Sequence, residues 1–153
     1  MYYVRRLKID QTDLLDALSL ASGSLYSQTV VSFWRTVRKQ NLWLKPSSLM
    51  RWHSGEMLHA HSADAVVQQF SSALKSWRKR RKSDPNARPP RKRRRFNKII
   101  WKSSAIRVKD GNLVLSNARG TPSLPAGTFV VPAEPSTTLT RTTELPHKDT
   151  PQK

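Results

Sequence analysis

The chain has 153 residues with 37% hydrophobic side chains, room for one modest domain or a smaller one with a tail, and too little apolar material for a large core. Lys and Arg number 28 against 10 Asp and Glu, and the self-repulsion of a +18 chain favours a polyanionic partner, nucleic acid first. The absence of cysteine excludes a disulfide framework, a thiolate nucleophile and a cysteine zinc site. With no long apolar run and no apolar core in MYYVRRLKID, the expectation is a cytoplasmic, nucleoid-associated prokaryotic protein without membrane contact.

In chain order, the alternation of Tyr3, Leu7 and Ile9 between basic residues predicts a short strand over 2–9. Asp10 and Asp13 stand three apart, close to a capping box, so a helix is expected to open there. Leu14, Leu15, Leu18 and Ala21 give it an apolar face up to Gly23; Tyr26, Val30, Phe33, Trp34 and Val37 resume the helical spacing, which reads as two packed helices. Pro46 can open a short helical connector carrying Leu49, Met50 and Trp52. Ser62 is the expected cap of the clearest helix, whose stripe of Val66, Phe70, Leu74 and Trp77 faces a core and whose last turns, up to Lys82, are almost wholly cationic.

Pro85, Pro89 and Pro90 force an extended crossover. Ile99, Ile100, Trp101, Ala105, Ile106 and Val108 are read as strand, and Asp110-Gly111 before Leu113, Val114 and Leu115 predicts a hairpin. After Gly120 a Pro/Ser/Thr-rich stretch with little periodicity is expected to be disordered. The whole predicts an α+β fold: about three helices beside a small, mostly antiparallel sheet over residues 1–120, then a tail over 121–153.

The segment from Lys75 to Lys98 concentrates the charge. It holds Lys75, Arg78, Lys79, Arg80, Arg81, Lys82, Arg88, Arg91, Lys92, Arg93, Arg94, Arg95 and Lys98, with Asp84 its only acid. Phosphates reward such density through counterion release and bidentate pairing with guanidinium groups. Phe96 is the aromatic best placed to stack on an unpaired base, whereas Trp77 shares the core stripe. A targeting signal within Arg91 to Arg95 is the bland alternative, ranked second because the charge extends well beyond one short peptide.

Catalytic and cofactor signals are weak. His53, His59 and His61 match no standard zinc spacing, and packing or surface roles suit them better. Asp10, Asp13, Asp16 and Asp64 read as residues of helix starts and Asp110 as a turn residue, so no acidic constellation for two-metal phosphodiester cleavage emerges. No nucleophile elbow or Gly-rich phosphate loop is present either. The expectation is a non-enzymatic chain with no cofactor and no small-molecule substrate.

Four stretches in this order, YYVRRLKI, ALSLASGSLYSQTVVSFWRTVRK, HSADAVVQQFSSALKSWRKRRKSDPNARPPRKRRRF and IIWKSSAIRVKDGNLVLSNARG, resemble the front portion of the TnpB transposon-associated proteins ("transposases"), relatives of the type V CRISPR effectors. Pro90-Arg91-Lys92 departs from the family pattern by lacking an aromatic there. The resemblance implies a helical lobe inserted in a wedge-type β-barrel that holds guide RNA and the guide–target duplex by their backbones. It also implies that the family's RuvC-like nuclease region, which would lie further along, is missing. A truncated or frameshifted gene and a naturally short protein both give this arrangement; a stand-alone or ribosome-associated RNA- and DNA-binding protein is the rival reading.

Overall fold

The computed structural model describes residues 12–53, 55–92, 95–110 and 112–128, and in it three helices precede a three-stranded antiparallel sheet. This is the expected α+β arrangement. The strand expected over 2–9, the residue Asp10 and most of the expected tail lie outside the described residues.

Helix α1 (Asp13–Gln40) is capped by Thr12, whose hydroxyl oxygen accepts a hydrogen bond from the Leu15 N–H at 3.2 Å, with Asp13 and Asp16 in the first turn. It ends on Asn41 in the left-handed region (φ 51°), a conformation that asparagine tolerates better than most residues. The expected division at Gly23 does not occur: α1 is one continuous helix. Glycine in a helix costs about 1 kcal/mol relative to alanine, but here it answers a tertiary need. A β-carbon on Gly23 would collide with the backbone carbonyl of Arg95, which crosses α1 at that point.

Helix α2 (Pro46–Trp52) starts on its proline, as expected, and sends Leu49 into the core. Helix α3 (Ala60–Arg81) begins three residues earlier than a Ser62 cap would allow. Its N-cap is His59, whose Nδ1 accepts from the His61 N–H at 3.3 Å, while Ser62 is buried inside the first turn. Asp64 consequently falls beyond the first turn. Its carboxylate lies 3.9 Å from His61, one turn back.

The core forms where the two long apolar stripes meet. Leu18, Leu25, Tyr26, Val30 and Phe33 of α1 pack with Val66, Val67, Phe70, Leu74 and Trp77 of α3, and Leu49 and Leu58 close the cluster. Each fully buried side chain of this size contributes about 1.5–3 kcal/mol. Tyr26 and Phe33 both meet Phe70 edge to face (6.1 and 5.3 Å between centroids), and Trp34 meets Trp77 at 5.7 Å. Later positions on α1 thus meet later positions on α3, so the helices run in the same sense and their basic last turns lie at one end.

The sheet has the order β1-β2-β3. β1 (Ile106–Lys109) pairs with β2 (Asn112–Leu115) through a two-residue connection at Asp110-Gly111, with Asp110 at φ 49° as a primed hairpin turn requires. Ile99 to Trp101, read as strand, are irregular. The third strand is instead β3 (Leu124–Thr128), within the stretch read as tail, and it pairs with β2 around an irregularity between Asn112 and Val114. LPAGT carries a proline and a glycine, which hide a strand from a propensity reading; among the described residues β3 stands at the sheet's edge, a position that tolerates both. Leu115 is buried, and Leu113, Trp101, Leu14 and Leu15 pack around it, so the sheet leans on the first turns of α1. The Ala118 N–H donates to the Met57 carbonyl at 3.1 Å and ties the sheet to the α2–α3 connection as well.

Candidate nucleic-acid interface

The basic end of α3 follows from its amphipathic pattern. Leu74 and Trp77 point inward, which leaves Lys75, Arg78, Lys79, Arg80 and Arg81 exposed in the last turns, followed by exposed Lys82. Cations here also offset the partial negative charge of the helix C-terminus.

Past Lys82 the chain turns back. The Asp84 N–H donates to the Arg80 carbonyl at 2.8 Å, and the Asp84 carboxylate accepts from the Asn86 N–H at 2.9 Å. The one acid of the segment is thereby engaged in a local turn. The buried Trp77 then donates its indole N–H to the Ala87 carbonyl at 2.8 Å, which fixes the start of the crossover against the core.

From there the crossover runs along α1 from its last turns toward its first. Pro89, Pro90, Arg91 and Lys92 lie beside Val30, Trp34 and Arg38. Arg95 crosses at Gly23. Asn97 then clasps the helix: its N–H donates to the Ser19 carbonyl at 3.2 Å, and its carbonyl accepts from the Ser19 hydroxyl at 2.8 Å. Its buried side-chain amide donates to Ser22 Oγ at 3.2 Å and to Gln69 Oε1 at 3.1 Å, joining α1 to α3. Ser22 in turn donates to the Lys98 carbonyl at 3.0 Å. The path between Arg38 and Gly23 covers about 22 Å of helix axis at 1.5 Å per residue.

This path arranges the expected binding residues as a strip. Lys75, Arg78, Lys79, Arg80, Arg81, Lys82 and Arg88 stand at the α3 end; Arg91 and Lys92 lie at the α1 end; Arg95, Phe96 and Lys98 continue along α1, all exposed. Arg93 and Arg94 lie outside the described residues. Among the described residues the ion pair of His61 with Asp64 involves none of these cations.

Aromatic rings accompany the strip. The Arg78 guanidinium lies 4.7 Å from the ring centre of Trp43, and that of Arg95 lies 5.3 Å from Phe96. Phe96 and Trp43 are 49% and 42% exposed, so part of each ring surface is open to a partner. Trp43 and Arg38 escape the sequence reading because they lie outside the dense basic run. The signal that could have found Arg38 is its place with Lys39 in the last turn of α1, matching the basic last turn of α3.

His59 and His61 are neighbours at 5.4 Å between ring centres, and among the described residues no group of three or more His, Cys, Asp or Glu could hold a metal ion. His53 sits apart, half-buried, and burial lowers the pKa of its imidazole. No helix among the described residues is long and apolar enough to cross a membrane. No family model, curated protein or solved structure matches the chain.

Proposed function

We propose that the protein binds nucleic acid, RNA foremost, through the cationic strip formed by the end of α3, the crossover and the end of α1, and that this chain acts by binding and not by catalysis. The observation that carries the reading is the convergence of exposed cations from three separate segments beside exposed aromatic rings. A helix terminus needs one or two cations to offset its dipole, and the strip holds far more. Phosphates spaced along a strand are the partner that compensates such a row, and Phe96 and Trp43 offer faces to unpaired bases.

The narrower version of the proposal is that this is the RNA-holding front of a TnpB-like protein, with the small sheet belonging to a wedge-type barrel and with guide-like RNA and target DNA as partners. It rests on the order of the four sequence stretches and on the basic crossover. A structured transposon-end RNA preferred over unrelated RNA of equal length supports that version; equal affinity for both supports a general RNA- and DNA-binding or ribosome-associated protein.

The broad proposal is tested by titrating a single-stranded RNA at several salt concentrations. With about six cations on phosphates, log affinity should fall against log salt with a slope near −4, using about −0.7 per contact. Replacing Arg91, Arg93, Arg94 and Arg95 by Ala should flatten the slope. An unchanged slope would show that the run is not a phosphate surface and would favour a targeting role.

A further inference from the structure

Between α1 and the crossover lies a groove of about 390 Å³, lined by Val30, Trp34, Arg38, Pro89, Pro90, Arg91 and Lys92. Its walls are apolar, and three cations stand among its lining residues. Trp34 is half-buried and meets Phe33, Trp43 and Trp77 edge to face, at interplanar angles of 83°, 75° and 83°, so none of these rings lies flat against it. The opposite wall is pre-formed, since proline fixes its own φ and the Trp77–Ala87 hydrogen bond holds the chain just before Pro89. The prolines also offer no backbone N–H that could read the edge of a bound ring.

We infer that this groove is a nucleobase site: one unpaired base of a single strand inserts between Trp34 and the Pro89-Pro90 wall, while its flanking phosphates lie on Arg38, Arg91 and Lys92. The inference rests on the nucleic-acid reading above and adds a defined pocket to it. Charge complementarity and shape select the occupant. The aromatic and apolar lining suits the flat, poorly hydrated face of a base, and the cations suit the phosphate on either side of it. With Arg38, Arg91 and Lys92 committed to phosphates and no backbone N–H on the prolines, the site should accept all four bases with little discrimination. Duplex should be excluded from it, because paired bases cannot leave the stack without losing their partners.

The test compares the full-length protein's affinity for a short single-stranded RNA and for an abasic strand of the same length and charge. It is paired with photocrosslinking of the same RNA carrying 5-iodouracil and mapping of the attached residues. The expected result is roughly hundredfold preference for the base-bearing strand, about tenfold from the base in the groove and about tenfold from the one on Phe96, with a crosslink at Trp34. Pro89→Gly with Pro90→Gly, both outside the helical core, should remove that crosslink and reduce the preference about tenfold while retaining affinity for the abasic strand. Trp34→Phe, which keeps an aromatic ring in the core, should retain part of the preference. Equal binding of both strands, or crosslinks confined to Phe96 and Trp43, overturns the groove but leaves the phosphate reading standing. Failure to bind either strand overturns both. Tighter binding of an acidic, tyrosine-bearing peptide than of the RNA assigns the groove to a protein partner and overturns the inference.

Discussion

The basic end of α3 and the basic crossover carry the same charge on very different supports. The first is the continuation of a hydrogen-bonded helix whose inner face is already buried through Leu74 and Trp77. The crossover has no repeating ladder of its own. It is held by a few specific contacts: Trp77 to Ala87, the packing of Arg95 on Gly23, and the Asn97 clasp on Ser19, Ser22 and Gln69. Charge on the helix end is therefore chiefly a matter of affinity, with a small contribution to stability from the helix dipole and from Arg78 on Trp43, whereas charge on the crossover is placed by tertiary contacts that hold the fold.

The largest effect should come from the helix end and should fall chiefly on binding. Replacing Arg78, Lys79, Arg81 and Lys82 by Ala is expected to reduce the salt slope by about 3 and, near 0.1 M salt, the affinity by roughly several hundredfold, because about four phosphate contacts are lost at about 0.7 each. Thermal unfolding should shift only modestly: all four side chains are exposed, and what is lost is the offset of the helix dipole and the contacts of Arg78 with Trp43 and Arg81 with Trp77. A large fall in melting temperature would show that the α3 end is structural after all.

Asn97→Ala sets the opposite signature. Its buried amide joins α1 to α3, so the loss should be about 2–3 kcal/mol of stability, read by denaturant unfolding, with a smaller loss of RNA affinity as the crossover loosens. The salt slope should barely move, since no cation is removed. Gly23→Ala pits two terms against each other: about 1 kcal/mol gained in helix propensity against a collision with the Arg95 carbonyl. A backbone carbonyl held by the neighbouring clasp yields poorly, so a net loss of about 1–2 kcal/mol is expected. A more stable variant would mean that the crossover is not held at α1 as tightly as its contacts imply.

Phe96→Ala should weaken RNA binding about tenfold while leaving the salt slope unchanged, because stacking releases no counterions. Smallest is a pH effect remote from the strip. Burial lowers the folded-state pKa of His53 below the ordinary 6.5, so the unfolded chain takes up the proton first. The stability difference is absent above about pH 6.5. It grows as a loss while pH falls from there toward the folded value, then levels off. His53→Gln should flatten this limb in unfolding curves taken across that window.

The core stripe of α3 and the hairpin at Asp110-Gly111 were legible because each is a local pattern: spacing along a helix in one, a turn dipeptide between apolar runs in the other. Gly23 was read with the right residue and the wrong consequence. A glycine inside an apolar-periodic run signals either a break or a close approach, and only the position of Arg95, far along the chain, distinguishes them. β3 was missed for a similar reason. Its sequence has poor strand propensity, and pairing with β2 sets its conformation.

The sequence by itself determined the chemistry of the surface and the two long apolar stripes, because charge density and helical periodicity are properties of neighbouring residues. Tertiary structure alone decided where the charge goes. The shared direction of α1 and α3, which follows from the pairing of Tyr26 and Phe33 with Phe70 and of Trp34 with Trp77, brings Arg38 to the same end as Arg78 to Lys82. The return of the crossover along α1 then lays Arg91, Lys92 and Arg95 beside that helix and closes the groove over Trp34. No local pattern encodes these placements, since they depend on which ring packs against which and on one buried asparagine finding its partners across the fold.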